Sequence, residues 1–250
     1  MQQGCRNQTT VNMMNDFRFD ETFRSELRGS PHHYGEVAFL ESVLQPGMTV
    51  IDGGANRGVT AVAIALAVGR NGHVYAFEPV PEYFGALTGN IARNRLVNIT
   101  AHNLAICDRT GPLRFYKHGE GSGIAPCQDA EEIQVQGITL PEFLSDHGIR
   151  KVDFINLDCE GSELFIFRDA AAWLKEETPP IFCEVHRQYM EALGQSVDDT
   201  VTLLSELGYH VIPIQVEDLG AHSDFGQCSH LYATQVPQNR PFNNVLKETR

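Results

Sequence analysis

The chain has 250 residues, 42% of them apolar and 20% charged, with a formal net charge of -13. This is the make-up of a packed domain and excludes a disordered or fibrous chain. Such an acidic surface repels nucleic-acid backbones and anionic lipid heads, and no run approaches the ~18 apolar residues of a membrane span, so neither nucleic acid nor membrane is an expected partner.

Residues 1–35 are polar and mixed and read as a lead-in segment, with residues 36–250 as a single domain. The N-terminus lacks an apolar core behind a basic start, so no secretory signal is expected. MTVID (48–52) follows the turn Gln45-Pro46-Gly47 and reads as a buried strand, and VTAVAIALAVG (59–69), apolar almost all round, as a helix deep against a sheet. HVYAF (73–77) is a second strand. PEYFGALTGNIARNRL (81–96) is a helix with Pro81 in its first turn, and NITAHNLAI (98–106) a third strand with its exit. LRFYKH (113–118) and EEIQVQGIT (131–139) predict a hairpin or paired edge strands around a glycine-rich loop. VDFINLD (152–158) and PIFCEVH (180–186) are further core strands, separated by the helical stretch 161–176. Ser196 and Gly208 bracket a helix, and the segments 209–216 and 229–234 close the chain as strands, with Pro213 placing the former at an edge.

Strands alternating with helices predict an α/β fold: a mostly parallel sheet with helices on both faces. Ligands in such sheets bind at the carboxyl ends of the strands. The acids there, Asp52, Glu78, Asp158 and Glu184, are therefore the residues to weigh. The six cysteines include no C-x-x-C pair. Cys107, Cys159 and Cys183 lie in or beside apolar runs, which fits a reducing, cytoplasmic setting better than zinc or disulfides.

The loop VIDGGANRG (50–58) decides the ligand class. Read from Gly53 it is G-x-A-x-x-G, close to the dinucleotide fingerprint. A carboxylate at Asp52 would repel a pyrophosphate on that loop, whereas it suits the ammonium of an amino-acid moiety, with loop N–H groups of Gly54, Ala55, Asn56 and Gly58 left for its carboxylate. Glu78, ending the next strand, is placed to accept hydrogen bonds from ribose hydroxyls. Pro79 offers an apolar wall to a purine, and Asn103 and Leu104 stand at the exit of the third strand. A ligand with an amino-acid end and a nucleoside end is S-adenosylmethionine, whose demethylated product is S-adenosylhomocysteine.

VIDGGANRG, GHVYAFEPVPEYFGALTGNIARN, ITLPEFLSDHGIRKVDFINLDCEGSELFIFRDA and PPIFCEVH, in that order over residues 36–186, resemble the FkbM-type family of S-adenosylmethionine-dependent methyltransferases. The pair Asn90 and Asn94 and the D-x-E-G-x-E run at 158–163 are the more specific elements. The resemblance implies a Rossmann-like class I methyltransferase fold with a seven-stranded sheet, its last strand antiparallel and inserted. It also implies methyl transfer, usually to oxygen on a small natural product or sugar. Asn156 stands where the family often has lysine, and Gly53 where valine is usual.

Methyl transfer to a hydroxyl needs in-line positioning and benefits from a general base. Asp158 is the first candidate for orientation or base work, as it should point into the cleft and also reach the cofactor. His186 is next, then Glu160 and Glu184; Glu184 and His186, two apart on an extended strand, share a face. The same four residues could hold a divalent ion, but hard-cation sites have no fixed spacing, so no metal is assigned. An NAD-dependent oxidoreductase and a non-catalytic cofactor-binding protein are the alternative readings. The loop HGEGSGIAP (118–126) is a candidate cover for the substrate, and His32, His33 and Tyr34 border the cleft or lie outside it.

Overall fold

The structure is a computed structural model that describes residues 30–119, 121–217, 220–221 and 224–235. Most of the lead-in segment and Cys5 lie outside the described residues. Among the described residues no helix is long and apolar enough to cross a membrane, and Cys107, Cys127, Cys159, Cys183 and Cys228 are free thiols.

The main sheet is built from β1 (Thr49–Gly53), β2 (His73–Phe77), β3 (Ile99–His102), β7 (Phe154–Leu157), β8 (Ile181–Glu184), β9 (His210–Gln215), β10 (Gly220–Ala221) and β11 (His230–Thr234). Its order is β10-β9-β11-β8-β7-β1-β2-β3. The strand β11 runs antiparallel between β8 and β9, while β8, β7, β1, β2 and β3 are mutually parallel. This is the expected seven-stranded arrangement with an inserted antiparallel strand, plus the two-residue β10 on the outer edge. Pro213 lies on β9, the outermost long strand, as expected of a residue without an N–H.

Because side chains alternate along a strand, each core strand feeds two separate cores. Val50, Phe154 and Phe182 face α1 (Pro31–Val43), α2 (Val59–Val68) and α3 (Pro81–Arg93), where Phe39, Leu40, Ile64 and Leu87 are buried. Ile51, Ile155 and Cys183 face the other way. There they meet α4 (Leu140–Asp146), α5 (Glu163–Asp169), α6 (Ala171–Glu177) and α8 (Val197–Glu206). Between β8 and α8 lies the short α7 (Arg187–Ala192). Burial of most of α2, Leu66 being exposed, explains its alanine-rich, stripe-free sequence. At α8 the predicted Ser196 cap forms a full capping box, its Oγ accepting from the Asp199 N–H at 3.2 Å while Asp199 Oδ2 accepts from the Ser196 N–H at 2.8 Å.

Two segments differ from the sequence reading. The stretch 98–106 is two strands: β3 stays in the main sheet, and β4 (Ala105–Ile106) peels away to pair with β6 (Glu131–Ile138). The turn between them is fixed by the Asn103 amide, which donates to the Glu78 and Pro79 carbonyls at 2.8 and 2.9 Å. The stretch 161–176 is two short helices meeting at Ala170. The predicted hairpin is present, β5 (Gly111–Lys117) pairing antiparallel with β6 over a small core that includes Val80, Tyr83 and Phe115.

Candidate active site

The carboxyl ends of β1, β2, β7 and β8 open on one edge of the sheet. Since β11 runs the opposite way, its first residue, His230, sits at that edge too, opposite Glu184 in register. Two adjoining cavities lie there. The wider, of about 320 Å³, is walled by His32, Glu36, Glu184 and His186 among others. The narrower, of about 40 Å³, lies between Glu78, Pro79, Leu104, Phe115 and Ile124. Gly54, Asn56, Asp158 and Glu160 border both.

The glycine loop is shaped by close approach. Gly54 has φ +81, and a Cβ on it would lie 1.8 Å from the Asp158 carbonyl oxygen, so only glycine lets β1 and β7 end side by side. Asn56 and Glu160, both non-glycine, hold φ of 46 and 52 at the junction of the cavities, a strained conformation typical of functional sites. The buried Asn90 explains one of the specific family residues: its amide donates to the Arg57 carbonyl at 2.8 Å and ties α3 to the loop.

The N–H groups of the loop have partners within the protein. The N–H groups of Gly54 and Ala55 donate to the Phe77 carbonyl and that of Gly58 to the Ala55 carbonyl. The Asn56 N–H donates to Glu78 Oε2 at 2.8 Å. These donors are therefore committed within the protein. Asp52 likewise has its hydrogen-bond partners inside the protein. It is fully buried beneath the loop and borders neither cavity; Asn156 Nδ2 donates to its Oδ1 at 2.7 Å and Thr60 Oγ1 to its Oδ2 at 3.5 Å. Asn156, in place of a family lysine, is thus the neutral partner of this carboxyl. Burial pushes Asp52 up to about 7 against those hydrogen bonds. Gly53 leaves room for the Leu157 and Cys159 side chains, which a Cβ would meet at 2.7 and 3.3 Å.

Glu78 lines the narrow cavity. Its second oxygen accepts the Val80 N–H at 2.7 Å, and burial pushes its carboxyl up to about 7. Pro79 and Leu104 line the same cavity, whereas the Asn103 amide is spent on the β3–β4 turn.

The candidate bases converge. His186 Nε2 lies 3.2 Å from Glu160 Oε2, 3.4 Å from Glu184 Oε1 and 3.8 Å from Asp158 Oδ1. So Glu184 and His186 do share a face. Burial, then the carboxylates of Glu184 and Glu160, hold the Asp158 carboxyl well above the usual range, while burial lowers His186. Glu163, the first residue of α5, accepts the Cys159 N–H from the preceding turn at 2.7 Å, and burial pushes it up to about 7.

The sequence left His32 and His33 undecided and did not single out Glu36 or His230. His32, His33 and Glu36 line the wider cavity and the buried His230 lies behind Glu36: His32 Nε2 is 3.2 Å from Glu184 Oε1, His33 Nδ1 is 3.1 Å from Glu36 Oε2, and His230 Nε2 is 3.4 Å from Glu36 Oε1. Burial opposes a charge on His32, but Glu184, Glu36 and Glu217 outweigh it and push it up to about 10. The H-x-x-x-E spacing of His32 and Glu36 on one helix face was the available signal.

These shifts predict a pH dependence of stability. The folded chain keeps protons on Asp52, Glu78 and Glu163 up to about pH 7, where the unfolded chain has lost them above roughly pH 4. Their stabilisation is full below that pH and fades as pH rises through 7; that of His32 fades from about 6.5 towards 10. Glu36 and Glu184 are held low, so their contribution is lost only on acidification below about 4.5. Thermal melts in the presence of a chelator should give a Tm at pH 5 above that at pH 8 by ~4 °C or more, for a loss of at least ~2 kcal/mol. A flat or rising Tm over that range would show that the buried acids are ionised in the fold.

The profile of the Methyltransferase FkbM domain family matches residues 52–211. Among solved structures, an FkbM methyltransferase from Methylobacillus flagellatus KT is 16% identical with a TM-score of 0.49; the match covers 91% of this chain and 59% of that one. A SAM-dependent methyltransferase from Aquifex aeolicus is 18% identical over 88% of this chain and 100% of the other, with a TM-score of 0.48. The fibrillarin/Nop5p complex gives 17% identity, 82% and 81% coverage and a TM-score of 0.50, a likeness of fold. A search of curated proteins returns no match.

Proposed function

The chain belongs to the methyltransferase FkbM domain family, and from that premise we propose that it transfers a methyl group from S-adenosylmethionine to a hydroxyl of a small molecule. The observation that carries this reading is the pairing of two cavities that join at Asp158 and Glu160. One has the walls for a nucleoside, and the other is crowded with acid–base groups.

The narrow cavity suits S-adenosylmethionine, the methyl donor of this family, in its chemistry. The Glu78 oxygens, although each accepts one backbone N–H, retain lone pairs for ribose hydroxyls, and Pro79, Leu104 and Ile124 are apolar. Its volume of about 40 Å³ is far below the ~300 Å³ at which ligand pockets begin, so entry of the nucleoside requires the segment carrying Ser122 and Ile124 to move aside. When bound, the cofactor's sulfonium supplies an activated methyl group. Asp158, at the junction, is the group to orient the acceptor hydroxyl and take its proton. Its raised proton affinity makes it a stronger base than an ordinary carboxylate. His186 Nε2 lies 3.8 Å from its Oδ1, and the Glu160 carboxylate helps to raise its proton affinity.

A cytoplasmic setting and action on a soluble acceptor, with neither nucleic acid nor membrane as partner, complete the proposal; the free thiols and the charge of -13 support them.

Calorimetric titration with S-adenosylmethionine, S-adenosylhomocysteine and NAD tests it, repeated on Glu78→Ala. The first two should bind and NAD should not, with affinity down ~10-fold or more in the variant, as expected for loss of hydrogen bonds to a charged group. NAD binding alone would sink the proposal in favour of an oxidoreductase. Cofactor binding without transfer to any hydroxylated acceptor would favour a non-catalytic cofactor-binding protein.

A further inference from the structure

We propose that His32, Glu36, Glu184 and His230 form a binding site for a divalent transition-metal ion of the zinc class. The four residues come from three elements. His32 and Glu36 lie one turn apart on α1, and Glu184 and His230 are register partners on β8 and β11. One ligand atom from each lies within 4.8 Å of all the others.

Geometry favours an ion over a chance cluster. His32 Nε2 lies 3.2 Å from Glu184 Oε1 and 3.8 Å from Glu36 Oε2, and His230 Nε2 lies 3.4 Å from Glu36 Oε1 and 4.0 Å from Glu184 Oε2, so each carboxylate turns one oxygen to each imidazole. A tetrahedron with bonds of about 2.1 Å has edges of about 3.4 Å, so one atom from each residue, now within 4.8 Å of the others, would draw together by about 1 Å or less along each edge to close on one ion.

The outer contacts argue the same way. A metal-bound imidazole normally donates its other ring N–H to a carboxylate or similar acceptor, which fixes the ring. His32 Nδ1 is 2.8 Å from Glu217 Oε1, and His230 Nδ1 is 3.0 Å from Ser229 Oγ. Both Nε2 atoms are thereby aimed inward. The His230 ring is also held against Phe182, with centroids 4.5 Å apart and planes at 6°. Two imidazoles with two carboxylates suit zinc and its first-row neighbours rather than Mg²⁺ or Ca²⁺, which prefer oxygen throughout.

Charge supplies the driving force. Glu36 is buried and Glu184 nearly so, and two carboxylates facing each other there require a cation between them. A divalent ion between them meets that need. Glu184 Oε1 is also 3.4 Å from His186 Nε2, so the ion would adjoin the Asp158–Glu160–His186 group without using its side chains.

The test uses the full chain, freed of metal with a chelator and titrated with Zn²⁺ by calorimetry. The expected result is one Zn²⁺ per chain, with a Co²⁺ derivative showing the intense visible absorption of tetrahedral coordination. His32→Ala should weaken Zn²⁺ by more than ~100-fold, and Glu217→Gln, a positioning residue, by roughly 10-fold. His186→Ala, which removes only an outer contact to Glu184, should weaken binding no more than Glu217→Gln does. Should His32→Ala fail to fold, the more exposed Glu217→Gln still decides. Absence of one-equivalent binding in the wild type would overturn the proposal. So would binding that survives both variants or is lost in His186→Ala, since the ion would then belong elsewhere.

Discussion

Gly54→Ala should lower the Tm by roughly 5–15 °C and abolish measurable binding of S-adenosylmethionine. Two costs add. The positive φ of +81 costs an L-residue ~1 kcal/mol or more. The new methyl would also lie 1.8 Å from the Asp158 carbonyl oxygen, a backbone atom that cannot step aside without moving the end of β7. Overpacking of this kind costs ~1–3 kcal/mol, giving about 2–4 kcal/mol together, with about 2–4 °C of Tm per kcal/mol for a chain this size. Binding suffers more than stability, because Gly54, Asn56 and Asp158 border both cavities. The control is Gly47→Ala, whose φ is +92 but whose Cβ would meet nothing within 4 Å. If the two variants melt alike, only the backbone angle matters and the strand-end contact carries no weight.

The largest effect on turnover is expected at Asp158. Asp158→Asn keeps the shape of the side chain and removes its basicity, so kcat should fall by ~10²–10⁴-fold once an acceptor is in hand. Affinity for S-adenosylhomocysteine should change only a few-fold. Stability should hold or rise, since Asp158 is crowded by Glu184, Glu160, Glu36 and Glu163, and losing a charge there relieves repulsion. In the wild type the same crowding should place the rising limb of the pH–rate profile above the ordinary carboxylate range. A kcat within tenfold of wild type would rule out Asp158 as the base. A larger loss in His186→Ala, with its pH limb moved, would transfer the role to that imidazole.

Much of the fold was legible in the chain because it rests on local patterns. The buried runs at 48–52, 73–77, 152–158 and 180–186 are strands, the apolar alanine-rich segment after Gly58 is a buried helix, and Ser196 begins a capped one. These depend on burial and capping within a few residues, and so can be read without knowing the neighbours. The strand-end acids were also legible, because a parallel sheet delivers the end of each strand to one edge.

What each acid does there was a tertiary decision. Asp52 reads as a ligand group, yet Asn156, 104 residues away, lies beside it and turns it inward. The loop N–H groups read as free donors, yet Phe77 and Glu78 on the next strand consume three of them. His230 carried no signal, since only the antiparallel insertion of β11 brings the start of that strand to the edge where the parallel strands end. The sequence by itself determined most of the elements, the parallel sheet and which edge bears the strand-end acids, because periodicity and strand polarity are local. Only the tertiary structure decided which carboxyls face a cavity, which are spent inside, and that four residues from α1, β8 and β11 meet at one point, because those outcomes depend on strand order and register.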